Sequence, residues 1–314
     1  MAPWMASGLV YASGIALCAG SITLLYMSTR TFNFAAASLA TIGFYVVYTG
    51  IQSLGGVPYY YYPFSFIVGA LLGVICYYGL NRPLLKRGAV EITLMMSTLG
   101  YDLILLSFVQ MYADYLTSAY KWFPRRVTLN HIDLDFQIFG ARPSATLLPL
   151  IAIACLIILH LFLTRTKFGI SMRATIENPI LAGASGINSD RVYLVAWVIG
   201  GGMCSLGGAF IAQAQTGHPF MGATIIPLMF AGAILGGLHN LYGGILGGLV
   251  IGMTEYAGVF YLSQQFGPWV QGYRMGIPLL VMAITLIAFP RGLSGIPLKK
   301  YLDRMVDRKR GVSA

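Results

Sequence analysis

The sequence predicts an all-α polytopic membrane protein. Hydrophobic residues make up 57% of the 314 residues and charged residues only 10%, whereas an ordinary soluble domain has roughly 25% charged residues. Many apolar runs reach about 20 residues, the length of a helix that crosses the hydrocarbon core of a bilayer. Because these runs are continuous rather than alternating, helices are favoured over a β-barrel.

The sequence contains about nine hydrophobic helical segments. The number ranges from eight to ten, depending on whether a broken helix is counted as one segment or two. The first is expected to be a retained helix, since no basic region precedes it and its apolar run exceeds that of a signal peptide. Gly55, Gly56 and Pro58 interrupt the chain after the second segment, and Asn81-Arg82-Pro83 is expected to end the third. The segments are 5–28, 33–52, 61–80, 92–112, 144–163, 192–213, 222–238, 242–262 and 273–290.

The arginines and lysines predict the orientation of these segments. They concentrate in 81–91, in 164–191 and in the tail 291–314, and basic loops are retained in the cytoplasm. Two predicted crossings separate the first pair of basic stretches and four separate the second, so all three lie on one side. The N-terminus is then outside, the C-terminus is cytoplasmic, and the connection 113–143 is external. The net charge of +10 therefore indicates membrane orientation rather than nucleic-acid binding.

Two parts of the chain resemble each other in layout. Segment 5–28 meets a polar break at Thr29–Asn33 and then a segment rich in small residues. Segment 192–213 meets a break at Gln215–Gly222 and then another such segment. In the predicted orientation these units run in opposite directions. That is the layout of an inverted repeat, whose interface usually carries the substrate path of a transporter.

Small residues recur at helical spacing in the last third of the chain. They allow close helix packing in lipid, and either static packing or sliding between two states would use them. The glycines assigned to helix packing are Gly236, Gly237, Gly243, Gly244, Gly247, Gly248 and Gly252.

Polar side chains inside the apolar segments are costly unless they are paired or face a wet cavity. Asp102 and Glu255 are the clearest carboxylates, and no basic residue is expected beside them deep in a span. Structural hydrogen bonding and pore lining remain open for both, and a proton relay is a third reading. The candidate pathway residues are Asn33, Phe34, Ser38, Thr98, Gln213 and Glu255. The spacing of the histidines and of the four cysteines predicts neither a metal site nor a disulfide framework.

Motifs for nucleotide binding and for catalysis are missing from the sequence. The chain is therefore not expected to be an enzyme or to carry a cofactor, and any ATP that drives it would be hydrolysed by another chain. Segment 164–191 is too polar to enter the bilayer and longer than a simple connection. Asn178-Pro179 could start a short helix there, ending near Gly183 and Gly186. Such a helix could dock into an ATPase, although a solvated loop fits the composition equally.

The segment from Arg173 to Val192 reads R-A-x-x-E-N-x-x-x-A-x-x-x-G-I-N-x-D-R-V. It resembles the coupling segment of LivH-type branched-chain amino-acid ABC permeases. The resemblance continues through 233–237 and through the glycine-rich 243–252 with Glu255. It also covers Thr31-Phe-Asn-Phe-Ala35, Arg82-Pro83 and 290–295, so it spans nearly the whole chain as one transmembrane permease domain.

The resemblance implies a multi-pass importer subunit of the cell membrane, working by alternating access. Two permease chains would form one path, with ATPase subunits beneath and an external solute-binding protein. The second permease chain would be LivM-like or identical. Asn33 and Phe34 match the segment that breaks near the path. The residues matching the ATPase-contacting loop are Arg173, Asn178, Gly186 and Ile187.

The chain departs from the family pattern at two places. Ala36-Ala37-Ser38 stands where the family usually has H-G-E after N-F-A, and the turn 236–243 lacks the usual glycine-serine spacing. These changes leave aliphatic amino acids, amides, urea-like solutes and aromatic acids open as substrates. The alternative function is a self-sufficient carrier or channel driven by a gradient, motivated by Asp102 and Glu255. A membrane-embedded enzyme ranks last.

Overall fold

The computed structural model describes residues 3–129 and 142–288, so the predicted tail 291–314 lies outside the described residues. Each of the nine predicted segments coincides with a helix over the part that is described. Short 3-10 turns at Pro58–Tyr61 and Pro268–Tyr273 join some of the helices. The α-helices are α1 (Pro3–Thr29), α2 (Ala36–Leu54), α3 (Tyr62–Cys76), α4 (Arg82–Lys86), α5 (Glu91–Tyr120), α6 (Pro143–Arg165), α7 (Lys167–Glu177), α8 (Pro179–Ala184), α9 (Ser189–Ala214), α10 (Met221–Gly236), α11 (Leu241–Phe266) and α12 (Gly276–Ala288).

Among the described residues, six helical stretches are long and apolar enough to cross a membrane. They are Trp4–Thr29, Pro58–Lys86, Glu91–Tyr120, Pro143–Arg165, Ser189–Ala214 and Leu241–Phe266. Helices α10 and α12 are apolar but have only 16 and 13 residues. The prediction of an all-α polytopic membrane protein is therefore confirmed, and nine complete crossings remain a prediction.

Helices α1 and α9 form the centre of the molecule. In α1, 94% of the most apolar 18-residue stretch is buried, whereas in α6 only 22% of the corresponding stretch is buried. Helix α6 is therefore peripheral. The Cys18 thiol donates to the Cys204 carbonyl (3.5 Å) and the Ser21 hydroxyl donates to the Gly200 carbonyl (2.7 Å). Because residue numbers rise along α1 as they fall along α9 at these two contacts, the two helices are antiparallel. We call residues 30–35, after α1, the first break and residues 215–220, after α9, the second break; they lie at opposite ends.

The neighbours of this central pair are arranged reciprocally. Helix α3 packs on α9, and α11 packs on α1. A β-carbon on Gly69 of α3 would overlap Ser205, and one on Gly248 of α11 would approach Ala16 of α1. Helix α2 lies against α9 while α10 lies against α1, and α5 and α12 flank α2 and α10 respectively.

The third segment does not end at Asn81-Arg82-Pro83 as predicted. The helix continues through a π-helical turn at Tyr77–Asn81 into α4, and Asn81 is fully buried. Proline lacks an N–H and its ring crowds the carbonyl four residues earlier. The wider π turn immediately before Pro83 accommodates both effects, so the proline modifies the helix without ending it.

The predicted external connection 113–143 begins too early. Helix α5 continues to Tyr120, because Ala113 and Leu116 extend its buried stripe at helical spacing. Asp114, which falls inside the predicted connection, lies on the exposed side of α5 and pairs with Arg125. That partner raises the pKa of the Arg125 guanidinium.

Candidate functional site

At the first break, α5 supplies side chains to the beginning of α2. The Phe34 N–H donates to Oγ1 of Thr98 (3.3 Å), and the Ser38 N–H donates to Oδ1 of Asp102 (2.9 Å). The Ser38 hydroxyl donates to the Asp102 carbonyl (3.0 Å). The first N–H groups of a helix lack intrahelical partners and carry partial positive charge. Asp102 therefore acts as a helix cap supplied by a neighbouring helix.

Asn33 lies at the centre of the first break and is 1% exposed. Its Oδ1 accepts from the Ala35 N–H (3.1 Å), whereas its Nδ2 has no hydrogen-bond partner among the described residues. The ring of Phe34 packs edge-on against Phe230 of α10, with centroids 5.2 Å apart. A buried amide donor without a partner is uncommon in a folded protein, so the first break offers one free donor between α2 and α10.

At the second break, the chain is held by the segment that follows α5. Gly217 and Val127 exchange both backbone hydrogen bonds, at 2.7 and 3.0 Å. The Gly222 N–H at the start of α10 donates to Oγ1 of Thr41 on α2 (2.9 Å). Burial lowers the pKa of His218 in this break. The starts of α2 and α10 are thus both held by other helices.

Close to the second break, Glu255 of α11 is paired with Arg274. The Arg274 Nε donates to Oε1 of Glu255 (2.6 Å), and its Nη2 donates to Oε1 of Gln215 (2.7 Å). Glu255 is 1% exposed, and its Oε2 has no hydrogen-bond partner among the described residues. The expectation that no basic residue accompanies Glu255 was wrong, because the chain after α11 turns back and brings Arg274 onto it.

A cavity of about 410 Å³ adjoins this ion pair. Its lining includes the polar Gln215, Glu255 and Arg274 and the apolar Ile225 and Leu228 of α10. Tyr11 of α1 also lines it; this residue is fully buried and its hydroxyl has no hydrogen-bond partner among the described residues. A second cavity, of about 320 Å³, shares Glu255 and Arg274. Two cavities therefore adjoin an ion pair between the buried Glu255 and the partly exposed Arg274.

Segment 164–191 folds into α7 and α8 and is not an open loop. Oδ1 of Asn178 accepts from the N–H groups of Ile180 (3.1 Å) and Leu181 (3.0 Å), and Pro179 occupies the first helical position. Gly186 has a φ of +81°, which favours glycine. Arg173 is exposed on α7, and Ile187 is half-buried after α8. The segment is tied to the bundle by an ion pair between Asp190 and Arg82 (3.2 Å).

Six of the seven glycines predicted to pack helices lie at close helix contacts. A β-carbon on Gly236 would overlap the Gly243 carbonyl, and one on Gly247 would overlap the Gly232 carbonyl. Gly244, Gly248 and Gly252 face α1 in the same way, against Thr23, Ala16 and Ala12. Gly237 ends α10 with a φ of +102°. These contacts bring the backbones of α10, α11 and α1 together.

Comparison with known proteins identifies the family. The model of the permease component of branched-chain amino acid transport systems matches residues 4–286. The chain belongs to this family. The permease is 36% identical to a probable branched-chain amino acid transport permease protein LivH of Methanocaldococcus jannaschii, over 93% of this chain and 92% of the relative. It is 25% identical to the high-affinity permease LivH of Salmonella typhimurium, over 93% and 95%.

A more distant relative is the nucleoside ABC transporter permease protein NupC of Lactococcus lactis subsp. cremoris. It is 28% identical over 72% of this chain and 69% of its own length. Family membership confirms the resemblance read from the motifs and places the permease among multi-pass membrane transport components rather than enzymes. Permeases of ABC systems work with ATPase and solute-binding partners.

The six predicted pathway residues of the permease do not form one cluster. Asn33, Phe34, Ser38 and Thr98 lie together at the first break, whereas Gln213 lies at the end of α9 and Glu255 lies near the second break. Sequence reasoning missed Arg274 and Tyr11. Arg274 stood in the predicted segment 273–290, where an arginine inside an apolar run was an available signal. Tyr11 gave no signal, because a tyrosine in an apolar helix is common.

Proposed function

We propose that this permease is the membrane subunit of an ATP-driven importer for branched-chain or other small amino-acid-like solutes. The observation that carries the proposal is the surface of α8, where Ile180 and Leu181 are 85% and 65% exposed. Such apolar side chains on a polar segment are typical of a docking surface. An ATPase groove that receives α8 would cover them, as the motif resemblance implies.

The connections of α8 provide a route from this surface to the membrane helices. Only Ser185–Asn188 separate α8 from α9, and Oδ1 of Asn188 caps α9 by accepting from the Arg191 N–H (3.3 Å). The Asp190–Arg82 ion pair adds α4 to the same unit. Because α9 belongs to the central pair, we infer that movement of α8 shifts α9 against α1 and drives alternating access.

The proposed orientation places the N-terminus outside and the first break, α7 and α8 in the cytoplasm. The reciprocal packing of α3 on α9 and of α11 on α1 supports an inverted repeat. Arg30 at the first break contacts His239 between α10 and α11 (3.3 Å), so these turns lie on one side. Residues 121–129 lie on the other side, with the second break.

The solute and the partner chains belong to the same proposal. The relatives in Methanocaldococcus and Salmonella are described as branched-chain amino acid permeases, which favours aliphatic amino acids. The description of NupC as a nucleoside permease makes a substrate panel necessary. We infer a second permease chain, LivM-like or identical, with the path between the two chains and an external binding protein delivering solute.

The assembly is tested by mild-detergent purification of the tagged native protein, with mass spectrometry of every co-purifying chain. We expect a nucleotide-binding ATPase and a second permease chain. Isolation of this chain alone, in material that transports, would contradict the proposal and favour the gradient-driven carrier.

Coupling is tested with Arg173→Ala and Gly186→Val in the purified complex. Both variants should still bind the ATPase subunit but lose ATP-driven transport of the solute. They alter the segment proposed to transmit ATPase movement and leave the helix bundle unchanged. Gly183→Ala is the matched control, since a β-carbon there would meet open space. Full transport by both variants would contradict a coupling role for 164–191.

A further inference from the structure

The cavity of about 410 Å³ beside the second break is lined in part by buried polar atoms that make no hydrogen bond among the described residues. Glu255 and Tyr11 both line it and are 1% and 0% exposed. Oε2 of Glu255 and the hydroxyl of Tyr11 have no partner at hydrogen-bond distance among the described residues, although Tyr11 lies beside both Glu255 and Arg274. Leaving a buried polar group unsatisfied is costly, and a buried carboxylate oxygen costs more than a neutral group. An arrangement of this kind is explained when a ligand supplies the missing hydrogen bonds.

The chemistry of the free atoms indicates a positively charged donor group. When the carboxylate of Glu255 is ionised, its Oε2 can accept hydrogen bonds but cannot donate them. The Tyr11 hydroxyl can do both. The ion pair with Arg274, at 2.6 Å, uses only Oε1. An ammonium group, with three donors on one atom, fits these acceptors without displacing the existing ion pair.

The remainder of the cavity indicates what carries the ammonium group. Arg274 provides positive charge within the same cavity, and Ile225, Leu228 and Met275 provide an apolar wall. A zwitterion with an aliphatic side chain would place its ammonium group at Glu255, its carboxylate towards Arg274 and its side chain against the wall. The cavity volume of about 410 Å³ lies within the usual range of about 300–1,000 Å³ for small-molecule sites.

We propose that this cavity, within a single permease chain, is a binding subsite for the ammonium group of an aliphatic α-amino acid, with Glu255 and Tyr11 as its acceptors. The identification of the ligand as an amino acid rests on the proposed function. The subsite lies at the end of the central helix pair opposite the first break. Solute would therefore contact it on the side where we place the external binding protein.

The test uses the purified complex with its partner subunits in nanodiscs, without binding protein, and equilibrium binding of tritiated leucine. We expect 3-methylbutylamine, which keeps the ammonium group, to displace leucine and 4-methylpentanoate, which lacks it, to fail. Tyr11→Phe should weaken leucine binding roughly tenfold, as the loss of one hydrogen bond to a charged group does. Glu255→Gln should weaken it further, and the exposed Glu91→Gln should bind as wild type.

The proposal can be refuted with Tyr11→Phe even if Glu255→Gln fails to fold. Tyr11→Phe removes a hydroxyl with no partner at hydrogen-bond distance among the described residues and keeps the ring against Arg274, so the fold should survive it. Equal leucine affinity in wild type and Tyr11→Phe, or displacement by 4-methylpentanoate but not by the amine, would overturn the subsite. If leucine does not bind, binding of radiolabelled 3-methylbutylamine to wild type and Glu255→Gln decides it.

The two proposals fail in distinguishable ways. If the complex accumulates leucine with ATP while Tyr11→Phe binds it as wild type does, the subsite is refuted and the proposed function stands. If the complex accumulates no amino acid, the proposed function fails. Binding of radiolabelled 3-methylbutylamine to wild type and Glu255→Gln then decides the ammonium subsite alone: loss in the variant supports it, and equal binding refutes it.

Discussion

At the scale of single residues, the two carboxylates singled out in the sequence have different surroundings. Asp102 lies at the first break, where its carboxylate accepts the Ser38 N–H and caps α2. Glu255 lies near the second break, paired with Arg274 through one oxygen while the other is free. The capping bond gives Asp102 a structural role, and Glu255 retains an acceptor that a solute can use.

The capping role of Asp102 predicts a specific stability difference. Asp102→Ala should lower the free energy of unfolding of the purified complex by about 1–3 kcal/mol, because the Ser38 N–H loses its partner in a buried site. Asp102→Asn keeps an acceptor oxygen and should cost less. Thermal unfolding of both variants checks this order, and equal melting temperatures for Asp102→Ala and wild type would exclude the cap.

At the scale of helices, much of the architecture could be predicted from the sequence because its signals are local. Apolar run length located every segment, and Asn178-Pro179 located α8 through capping chemistry. What could not be predicted depends on the fold: the partner of each packing glycine, the continuation of α3 past Pro83, and the return of Arg274 to Glu255. Polarity within an apolar segment predicts which polar groups are buried, but it does not predict which of them share a site.

The close approach of α10 and α11 predicts that Gly247→Ala destabilises the permease by about 1–3 kcal/mol. Its new methyl group would overlap the Gly232 carbonyl, and overpacking of this kind forces the helices apart. Gly100→Ala on α5 is the matched control, since its β-carbon would meet open space. The control should be neutral or stabilise by about 0.5–1 kcal/mol through helix propensity. Thermal unfolding of both variants in one detergent makes the comparison, and equal loss would contradict the packing account.

The exposed apolar face of α8 predicts a separation of stability from activity. Ile180→Asp should change the unfolding free energy of the isolated permease by less than about 0.5 kcal/mol, as exposed substitutions usually do. In the complex it should reduce ATP-driven transport at least tenfold, by placing an unpaired charge in an apolar groove. Ile180→Leu, which remains apolar, should transport as wild type. Wild-type transport by Ile180→Asp would show that α8 does not dock.

At the scale of the whole molecule, α1, α2 and α3 form one group of helices and α9, α10 and α11 form another, with α3 packed on α9 and α11 packed on α1. Each group supplies the helix that packs on the other group's central helix, so neither can close its interface alone. The two breaks consequently lie at opposite ends, one beside α5 and one beside the Glu255–Arg274 pair. This arrangement suits a device that opens one end as it closes the other.

The orientation that follows from this arrangement predicts the accessibility of introduced cysteines. In intact cells, a membrane-impermeant maleimide should label Arg126→Cys, because residues 121–129 are placed outside. Lys86→Cys should be labelled only after permeabilisation. Of the native cysteines, Cys18, Cys76 and Cys204 are buried and Cys155 is half-buried, so labelling is compared with that of the chain without an introduced cysteine. The reverse pattern would invert the proposed topology.

As the membrane subunit of an ATP-driven importer, this chain should move an amino-acid-like solute only when partner ATPases hydrolyse ATP. The most direct test is uptake of radiolabelled leucine, isoleucine and valine, with a nucleoside for comparison, into proteoliposomes containing the purified complex and the binding protein, with ATP on the α8 side. We expect an aliphatic amino acid to accumulate in an ATP-dependent manner, and this accumulation should persist when ion gradients are collapsed. Accumulation by the chain alone, driven by a proton or sodium gradient without ATP, would contradict this expectation.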